Sequence, residues 1–256
     1  MNPLGVAFNA DQTRAAFTLH HPKGNIVTAA MVEALRAALE SVAQNLHLKL
    51  ITIEGAGPDF SYGASIPEHT PGRIGEVLPA MHALIIDLLE APAATACIVR
   101  GRCLGGGFEL ALACDFIFAA DDAQLGLPEI ALGVFPPAAA ALLPRRVGTS
   151  RATSAILTGA SRTAGEWLDA GLIELVASAD TLDGAVDGWF ARGLAPKSAA
   201  AIRYAAAAAR HSLLAEVRTT LPALEALYLE DLMNTSDAVE GIQAFLDKRP
   251  PRWSDR

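Results

Sequence analysis

Two glutamates with apolar neighbours are the residues of this sequence best suited to acid–base chemistry. Glu109 follows three glycines at 105–107 at the start of a predicted helix, and Glu129 lies 20 residues later in an almost wholly apolar run. Burial disfavours a charged carboxylate and two carboxylates repel each other, so one of them can stay protonated near neutral pH. The pair is therefore a candidate general acid and base. Taken singly, Glu109 could instead be a solvent-facing residue that complements a helix dipole, and Glu129 a structural cap.

Two glycine segments could supply backbone hydrogen-bond donors to an anion. Consecutive glycines at 105–107 leave N–H groups open to a ligand because no Cβ blocks the approach. Their spacing matches neither the dinucleotide-binding pattern GxGxxG nor a P-loop. Gly63 and Ala64 follow a predicted strand and could aim a second N–H at the same cleft, although taken alone they form an ordinary glycine turn. Ser65 does not lie in a GxSxG pattern and is not predicted to be a nucleophile.

Alternating strands and helices must position these groups. Residues 6–8 and 15–19 predict an opening hairpin, and apolar residues at helical spacing predict a helix over 28–46 with Thr28 as N-cap. The alternation continues with strands at 48–53, 94–99, 116–119 and 124–127 and helices at 77–89 and 106–114. This order favours an α/β fold.

The last quarter of the chain has a different pattern. From about residue 196 only helices are predicted, over 198–211, 214–232 and 236–248. A helical appendage of this length on an α/β core is more often an interface element than an independent domain. We therefore expect a core with the catalytic cleft over 1–195 and a helical oligomerisation region over 196–256.

The composition disfavours several classes of protein. The 256 residues carry 20 Lys and Arg against 28 Asp and Glu, a net charge of −8, which disfavours nucleic acid or an anionic membrane as partner. The longest uncharged apolar stretch, residues 130–143, is shorter than the roughly 20 residues of a membrane-spanning helix. The hydrophobic content of 52% indicates instead a large subunit interface or an apolar ligand cleft.

The cysteines and the first residues bear on the compartment. Cys97, Cys103 and Cys114 are odd in number and lack zinc-site spacing, so we predict buried reduced thiols and no metal site. The first residues show no basic region followed by an apolar one, as a secretory signal would. We expect a cytoplasmic protein.

The order and spacing of several short motifs resemble those of the enoyl-CoA hydratase/isomerase (crotonase) family. Each motif is weak by itself, but together they cover nearly the whole chain. The matching segments are residues 22–25, 60–66, 105–109, 127–133, 157–159, 171–173 and 240–249. The resemblance implies a spiral of ββα repeats followed by a helical trimerisation region, and an enzyme that acts on coenzyme A thioesters without a permanently bound cofactor.

The same resemblance assigns roles to individual residues. The backbone N–H groups of Ala64 and Gly106 would form the oxyanion hole, where Ala64 also touches the thioester. Glu109 and Glu129 match the two glutamates of the family's hydratases, which favours a hydratase over an isomerase. Glu129 is favoured as the base toward water with Glu109 as its partner, although two interacting groups can exchange these roles.

The resemblance also predicts contacts with the coenzyme. Lys23 would lie near the adenine end of the CoA. Phe245 and Lys248 would touch the CoA of a neighbouring subunit in a homotrimer or a dimer of trimers. No further partner is implied beyond the acyl-CoA substrate.

Two departures from the family pattern bear on the substrate. Ser65 stands where an Asp is usual, and prolines and alanines over 135–144 replace a glycine-rich segment, so residues 134–143 are expected to wall the acyl pocket. The segments 62–69 and 133–139 resemble a subgroup, the cyclohexa-1,5-diene-1-carbonyl-CoA hydratases of anaerobic benzoyl-CoA degradation. That likeness implies 1,4-addition of water to a cyclic dienoyl thioester.

Other functions of the same fold stay open from the sequence. They are a straight-chain enoyl-CoA hydratase, a double-bond isomerase, a ring-cleaving hydrolase or decarboxylase, and a non-catalytic RNA-binding member. Both retained glutamates and the acidic charge weigh against the last of these.

Overall fold

The structure is a computed structural model and describes residues 2–70 and 72–256. The strands are β1 (Leu4–Phe8), β2 (Arg14–Leu19), β3 (Leu50–Gly55), β4 (Ala94–Val99), β5 (Arg102–Leu104), β6 (Phe116–Ala120), β7 (Gln124–Gly126), β8 (Arg162–Thr163) and β9 (Leu175–Ala177). The helices are α1 (Ala29–Ala43), α2 (Ile74–Leu89), α3 (Gly106–Ala113), α4 (Pro137–Val147), α5 (Thr149–Thr158), α6 (Ala164–Asp169), α7 (Leu182–Gly193), α8 (Ala199–Ala226) and α9 (Ser236–Leu246).

Two sheets organise the core. Six strands form the larger sheet in the order β1-β2-β3-β4-β6-β9, and β5, β7 and β8 form the smaller one. β1 and β2 make the antiparallel hairpin that the sequence predicts, whereas the other neighbours in the larger sheet are parallel. β4 is buried along its whole length, which fits its mainly apolar sequence. The predicted α/β alternation is confirmed.

The short connection from β4 to β5 positions the glycines at 105–107 at the start of α3. β4 leads through Gly101 into β5, and α3 begins directly after it. Gly101 has φ +51, and a Cβ there would lie 2.4 Å from the carboxylate of Asp59. The same carboxylate accepts the Arg102 N–H at 2.8 Å. This hydrogen bond joins the loop after β3, which leads to Gly63, to β5, which leads to Gly105. It therefore links the two glycine segments.

The C-terminal region is helical, as expected, but its helices differ from the prediction. A single 28-residue helix, α8, replaces the two helices predicted over 198–232, because the chain continues helically through Ser212. The Ser198 hydroxyl caps its start by accepting the Ala201 N–H at 3.3 Å. α8 ends in a π-helical turn, Leu227–Asp231, and a short 3-10 turn precedes α9.

A buried ion pair fastens α8 to the core. Arg210 is 4% exposed, and its guanidinium donates to both carboxylate oxygens of Asp115. It also donates to the carbonyls of Ala91 and Ala93, each at 2.7 Å. These contacts join α8 directly to buried groups of the α/β core. The helical region is therefore an integral part of the fold.

The buried apolar residues form a main core and a second, smaller cluster. The smaller cluster consists of Ile74, Leu78, Val134, Tyr228, Met233, Ala238 and Ile242. Ala138, Ala139, Ala141, Leu142 and Leu143 belong instead to the main core. α4 therefore packs into the main core, and the segment before it lies beside the smaller cluster. The expected role of residues 134–143 as a wall of the acyl pocket stays a prediction.

Candidate active site

Two main-chain N–H groups from separate segments lie side by side at the start of α3. A Cβ on Gly106 would be only 3.2 Å from the nitrogen of Ala64. Across residues 2–70 and 72–256, neither of these N–H groups donates to a protein acceptor. Two neighbouring donors of this kind suit an oxygen that gains negative charge during a reaction.

The segment that carries Ala64 is held by hydrogen bonds on both sides. The Ser61 hydroxyl donates to the carbonyl of Asn25 at 2.7 Å and accepts the Gly63 N–H at 3.1 Å. The Val27 N–H donates to the Gly63 carbonyl at 2.9 Å. Gly63 has φ +97, and a Cβ there would lie 2.8 Å from the carbonyl oxygen of Leu104, so glycine is required.

Glu109 lies in the first turn of α3, where its side chain reaches the start of another helix. The residue is 7% exposed, and its Oε1 accepts the Ala139 N–H at 2.9 Å. Ala139 lies in the first turn of α4, whose backbone N–H groups lack partners within their own helix. The positive end of the α4 dipole therefore stabilises the ionised form of Glu109.

Glu129 lies in a 3-10 turn, Pro128–Leu132, after β7. A Cβ on Gly105, which has φ +49, would lie 2.6 Å from Oε1 of Glu129, so the carboxylate rests against the backbone next to Gly106. The residue is partly exposed as a whole, but its Oε2 is buried and has no hydrogen-bond partner among the described residues. An orphaned buried carboxylate oxygen is suited to hold a proton or to bind a ligand.

The pKa values of both carboxyl groups are raised, in part for different reasons. Burial raises the pKa of Glu109 to about 7, although the backbone N–H bonds from Ala139 and Ala138 oppose this shift. Burial and the nearby charge of Glu109 raise the pKa of Glu129 to about 8. The Glu129 carboxyl therefore keeps a proton more readily, whereas Glu109 is the one whose charge is stabilised.

The arrangement brings together all four residues that the sequence singles out for catalysis. The N–H groups of Ala64 and Gly106 can stabilise a developing oxyanion, while Glu109 and Glu129 can exchange protons with a group bound between them. The approach of Glu129 to Gly105 places the carboxyl pair beside the oxyanion site. This geometry suits addition of a protic molecule next to a carbonyl group.

A cavity of 690 Å³ lies beside the segment that leads to Ala64. Its lining includes His20, His21, Lys23, Asp59 and Tyr62. Lys23 is exposed, so its ammonium can meet an anionic ligand at the mouth of the cavity. One lining residue, Tyr62, is only two residues from Ala64 in the chain.

Phe245 and Lys248 lie apart from this cavity at the end of α9. Phe245 is 54% exposed, and neither residue lines the cavity. Lys248 follows the helix with φ +56 and its N–H donates to the Phe245 carbonyl at 3.1 Å. Neither Phe245 nor Lys248 therefore lines the cavity of its own chain. Their contact with the CoA of a neighbouring subunit stays a prediction.

Two contributors to the site were not predicted from the sequence. One is the backbone N–H of Ala139, which the prolines at 136 and 137 could have indicated because proline is common at the first positions of a helix. The other is Tyr228, which packs in the smaller cluster with Val134 and against the ring of Phe135, and whose pKa is raised by burial and by the charges of Glu129 and Glu109. No motif surrounds Tyr228, so no sequence signal marks it.

The described residues also limit other types of site. Among residues 2–70 and 72–256, no group of three or more His, Cys, Asp and Glu side chains could hold a metal ion. None of the helices in the same ranges is long and apolar enough to cross a membrane. Cys97, Cys103 and Cys114 are buried free thiols.

Comparison with known proteins identifies similar sequences along the whole chain. The family model for enoyl-CoA hydratase/isomerase matches residues 9–256. The chain is 42% identical over 255 residues to a protein from Thauera aromatica named cyclohexa-1,5-dienecarbonyl-CoA hydratase, covering 100% of this chain and 98% of the relative. It is 34% identical over 263 residues to a probable enoyl-CoA hydratase of Bacillus subtilis, covering 99% of both chains.

Solved structures show the same fold. The crystal structure of an enoyl-CoA hydratase from Mycobacterium avium subsp. paratuberculosis superimposes with a TM-score of 0.87 at 29% identity, covering 99% of both chains. An enoyl-CoA hydratase structure from Bacillus anthracis superimposes with a TM-score of 0.78 at 28% identity, covering 99% of this chain and all of that one. The predicted crotonase-like architecture with a C-terminal helical region is confirmed.

Proposed function

The chain belongs to the enoyl-CoA hydratase/isomerase family of acyl-CoA enzymes, and from this premise we propose that it hydrates the cyclic thioester cyclohexa-1,5-diene-1-carbonyl-CoA. The observation that carries the proposal is the pair of buried carboxyls, Glu109 and Glu129, beside two unpaired N–H donors. The full-length similarity to the Thauera aromatica hydratase supports the choice of substrate. On this proposal the enzyme acts in the breakdown of aromatic compounds.

The oxyanion site activates the thioester. In the proposed complex the thioester oxygen accepts hydrogen bonds from the N–H groups of Ala64 and Gly106. Nucleophilic addition moves an electron pair onto this oxygen, and fixed donors stabilise that charge without reorganisation. Loss of one such donor costs ~10²–10³ in rate in other enzymes.

The hydrogen bonding of the glutamates favours one division of roles. Glu109 is the proposed base, because the Ala139 N–H stabilises its charged form. Glu129 is the proposed acid, because its pKa is the higher of the two and its Oε2 has no acceptor or donor to share among the described residues. This is the reverse of the assignment that the sequence favours.

The proton and electron balance of the reaction fits this pair. Glu109 takes a proton from water as the water oxygen bonds to the β-carbon of the conjugated ring. The electron pair of that double bond moves through the dienolate to the far carbon, which takes the proton held by Glu129. Water has then added across the diene ends, one double bond remains in the ring, and the two carboxyls have exchanged one proton.

Coenzyme A is the proposed occupant of the 690 Å³ cavity. Lys23 in its lining would pair with a phosphate, and Tyr62 in the same lining is two residues from Ala64, where the thioester would lie. We propose that Phe245 and Lys248 of a neighbouring subunit complete this site in a homotrimer or dimer of trimers. The exposure of Phe245 in the single chain supports such a contact. The three free thiols support a cytoplasmic location.

A straight-chain enoyl-CoA hydratase is the second candidate. The 34% identity to the probable enoyl-CoA hydratase of Bacillus subtilis favours it, since that similarity also covers nearly the full chain. Both candidates need the same oxyanion site and the same carboxyl pair. They differ in the acyl group alone.

Rates on two thioesters separate the candidates. The purified protein should hydrate cyclohexa-1,5-diene-1-carbonyl-CoA at least tenfold faster, in kcat/KM, than crotonyl-CoA, with a product heavier by one water. Faster turnover of crotonyl-CoA would support the second candidate, and a product of unchanged mass would indicate an isomerase instead.

Variants of the glutamates test the mechanism. Glu109→Gln and Glu129→Gln should each lower kcat by ~10²–10⁴ because each removes a proton-transfer group. Glu33→Gln, which changes an exposed glutamate of α1, is the matched control and should retain the parent rate. If either catalytic variant also retained the parent rate, the two-carboxyl mechanism would be wrong.

A further inference from the structure

Tyr228 is a buried polar side chain that the mechanism above does not use. It lies in the π-helical turn, Leu227–Asp231, between α8 and the 3-10 turn that precedes α9. The residue is only 2% exposed. Single π-helical turns interrupt α-helices at a cost in regularity and are often found at functional sites. Its ring and its hydroxyl therefore need separate explanations.

The ring packs on the segment that follows Glu129. The rings of Tyr228 and Phe135 are 5.4 Å apart and meet edge to face at 65°. Phe135 follows Val134, whose N–H donates to the Glu129 carbonyl at 3.3 Å. Four residues after Phe135, the Ala139 N–H holds Glu109. The aromatic pair thus packs on a short stretch of chain that bonds to the main chain of Glu129 and to the carboxylate of Glu109.

The turn that carries Tyr228 is also fixed from the opposite side. His82 of α2 is 4% exposed, and its Nδ1 lies 2.7 Å from Oε2 of Glu225, three residues before Tyr228. One turn earlier on α2, Leu78 packs in the same smaller cluster as Tyr228. The helix end is therefore held between α2 and Phe135, which leaves the Tyr228 side chain little freedom to move.

Tyr228 lies beside both segments of the candidate site. Ile66, two residues after Ala64, and Leu132 and Phe135, which follow Glu129, pack against the smaller cluster that contains Tyr228. Besides burial, the charges of Glu129 and Glu109 both raise the pKa of Tyr228. No hydrogen bond joins this hydroxyl to another side chain or carbonyl within residues 2–70 and 72–256. The raised pKa keeps the hydroxyl protonated at neutral pH, so that it can act as a donor. A donor without a protein acceptor is suited to a bound ligand.

The hydration reaction leaves one hydrogen-bonding position of the attacking water unassigned. A water between the glutamates uses its hydrogens toward carboxyl oxygens and one lone pair to bond to carbon. Its second lone pair can accept one more hydrogen bond. That acceptor persists in the product, because the water oxygen becomes the hydroxyl of the hydrated thioester.

We propose that the Tyr228 hydroxyl donates a hydrogen bond to this oxygen, and that it is a third catalytic group of the site. The inference rests on the proposed function. It assigns to the C-terminal helical region a direct contact with the reacting water, in addition to any role in oligomerisation. Tyr228 forms no covalent bond and transfers no proton; it orients the oxygen and distinguishes a hydroxylated ligand from an unsaturated one.

Tyr228→Phe removes the hydroxyl and keeps the ring that packs on Phe135. We expect kcat to fall about tenfold, since one hydrogen bond to the reacting oxygen is lost. The inhibition constant of the hydrated product, 6-hydroxycyclohex-1-ene-1-carbonyl-CoA or 3-hydroxybutyryl-CoA, should rise about tenfold, whereas the KM of the corresponding unsaturated thioester should change less than twofold. Tyr204→Phe, the same change at a residue of α8 that is 75% exposed, is the control and should alter none of these values.

The readouts distinguish the outcomes. A purely structural role would weaken binding of the product and the substrate by the same factor, and that result overturns the inference, as does an unchanged kcat with unchanged product binding. Near-ultraviolet circular dichroism of the variant establishes that the aromatic packing is retained. If the parent protein hydrates neither dienoyl-CoA nor crotonyl-CoA, the proposed function fails and this inference fails with it. If the parent enzyme hydrates either thioester and the variant behaves like it, only the inference fails.

Discussion

Replacing Glu109 by Gln should remove a pH-dependent cost in stability that the wild-type protein carries. Burial raises the pKa of Glu109 from 4.5 to about 7. A carboxyl whose pKa is higher in the folded state stabilises the fold fully below pH 4.5, and this stability is lost as the pH rises through about 7. The substituted glutamine side chain would keep the acceptor for the Ala139 N–H but cannot ionise.

The magnitude follows from the interval between the two pKa values. At ~1.4 kcal/mol per pH unit, ionisation of Glu109 lowers the free energy of unfolding by ~2–3 kcal/mol between pH 5 and pH 8. In a chain of this size ~1 kcal/mol corresponds to ~2–4 °C in Tm, so the expected difference is ~5–10 °C. The Gln variant also lowers the repulsion on Glu129, which acts in the same direction.

Thermal unfolding at pH 5 and pH 8, at one protein concentration, measures the effect. Glu109→Gln should have a Tm close to that of the wild type at pH 5 and ~5–10 °C higher at pH 8. The control Glu33→Gln, at an exposed position, should follow the wild-type pH dependence. Parallel loss of Tm in the wild type and in Glu109→Gln would refute the view that Glu109 is buried with a raised pKa.

Two further substitutions test the oxyanion site and the attachment of α8. Gly106→Ala places a methyl group 3.2 Å from the Ala64 nitrogen, where it would obstruct the oxyanion site. We therefore expect kcat to fall ~10²-fold with an unchanged Tm. A rate within twofold of the parent would contradict the proposed oxyanion hole. Arg210→Met leaves Asp115 without its buried partner and should lower the free energy of unfolding by ~3–5 kcal/mol. The control Arg218→Met breaks an exposed pair with Glu90 and should lower it by ~1 kcal/mol or less. Equal losses of the two variants in thermal or denaturant unfolding would argue against a special role for the buried pair.

The candidate catalytic groups could be predicted because each combines residue type with a distinctive neighbourhood. Glycines at 105–107 and a glutamate two residues later indicate a backbone donor beside an acid, and the structure brings them together with Glu129. The proposed division of roles could not be predicted, because it depends on the Ala139 N–H. That contact joins residues 30 positions apart and depends on where α4 begins.

The apolar stretch over 134–143 shows why patterns of burial are ambiguous. A run of alanines and leucines after two prolines fits a pocket wall, but it equally fits a helix that is buried on most of its surface. Arg146 illustrates the same limit. Next to Arg145 it indicates a solvated helix start or a phosphate site, yet its guanidinium turns inward and donates to the Leu112 carbonyl at 2.8 Å, and Arg145 pairs with Glu216.

The groups proposed to hold negative charge in this site are largely main-chain amides, those of Ala64, Gly106 and Ala139. No codon change other than one to proline can delete such a donor, so a scan of point mutants would find few sensitive positions around the thioester. A loss of activity on substitution of one of the glycines would indicate a steric clash of the new side chain, because the backbone N–H is still present. Direct measurement of each donor requires exchange of a single amide for an ester by chemical or semisynthetic means. The position of these proposed donors is therefore determined by the path of the backbone. A comparison of side chains does not reveal them.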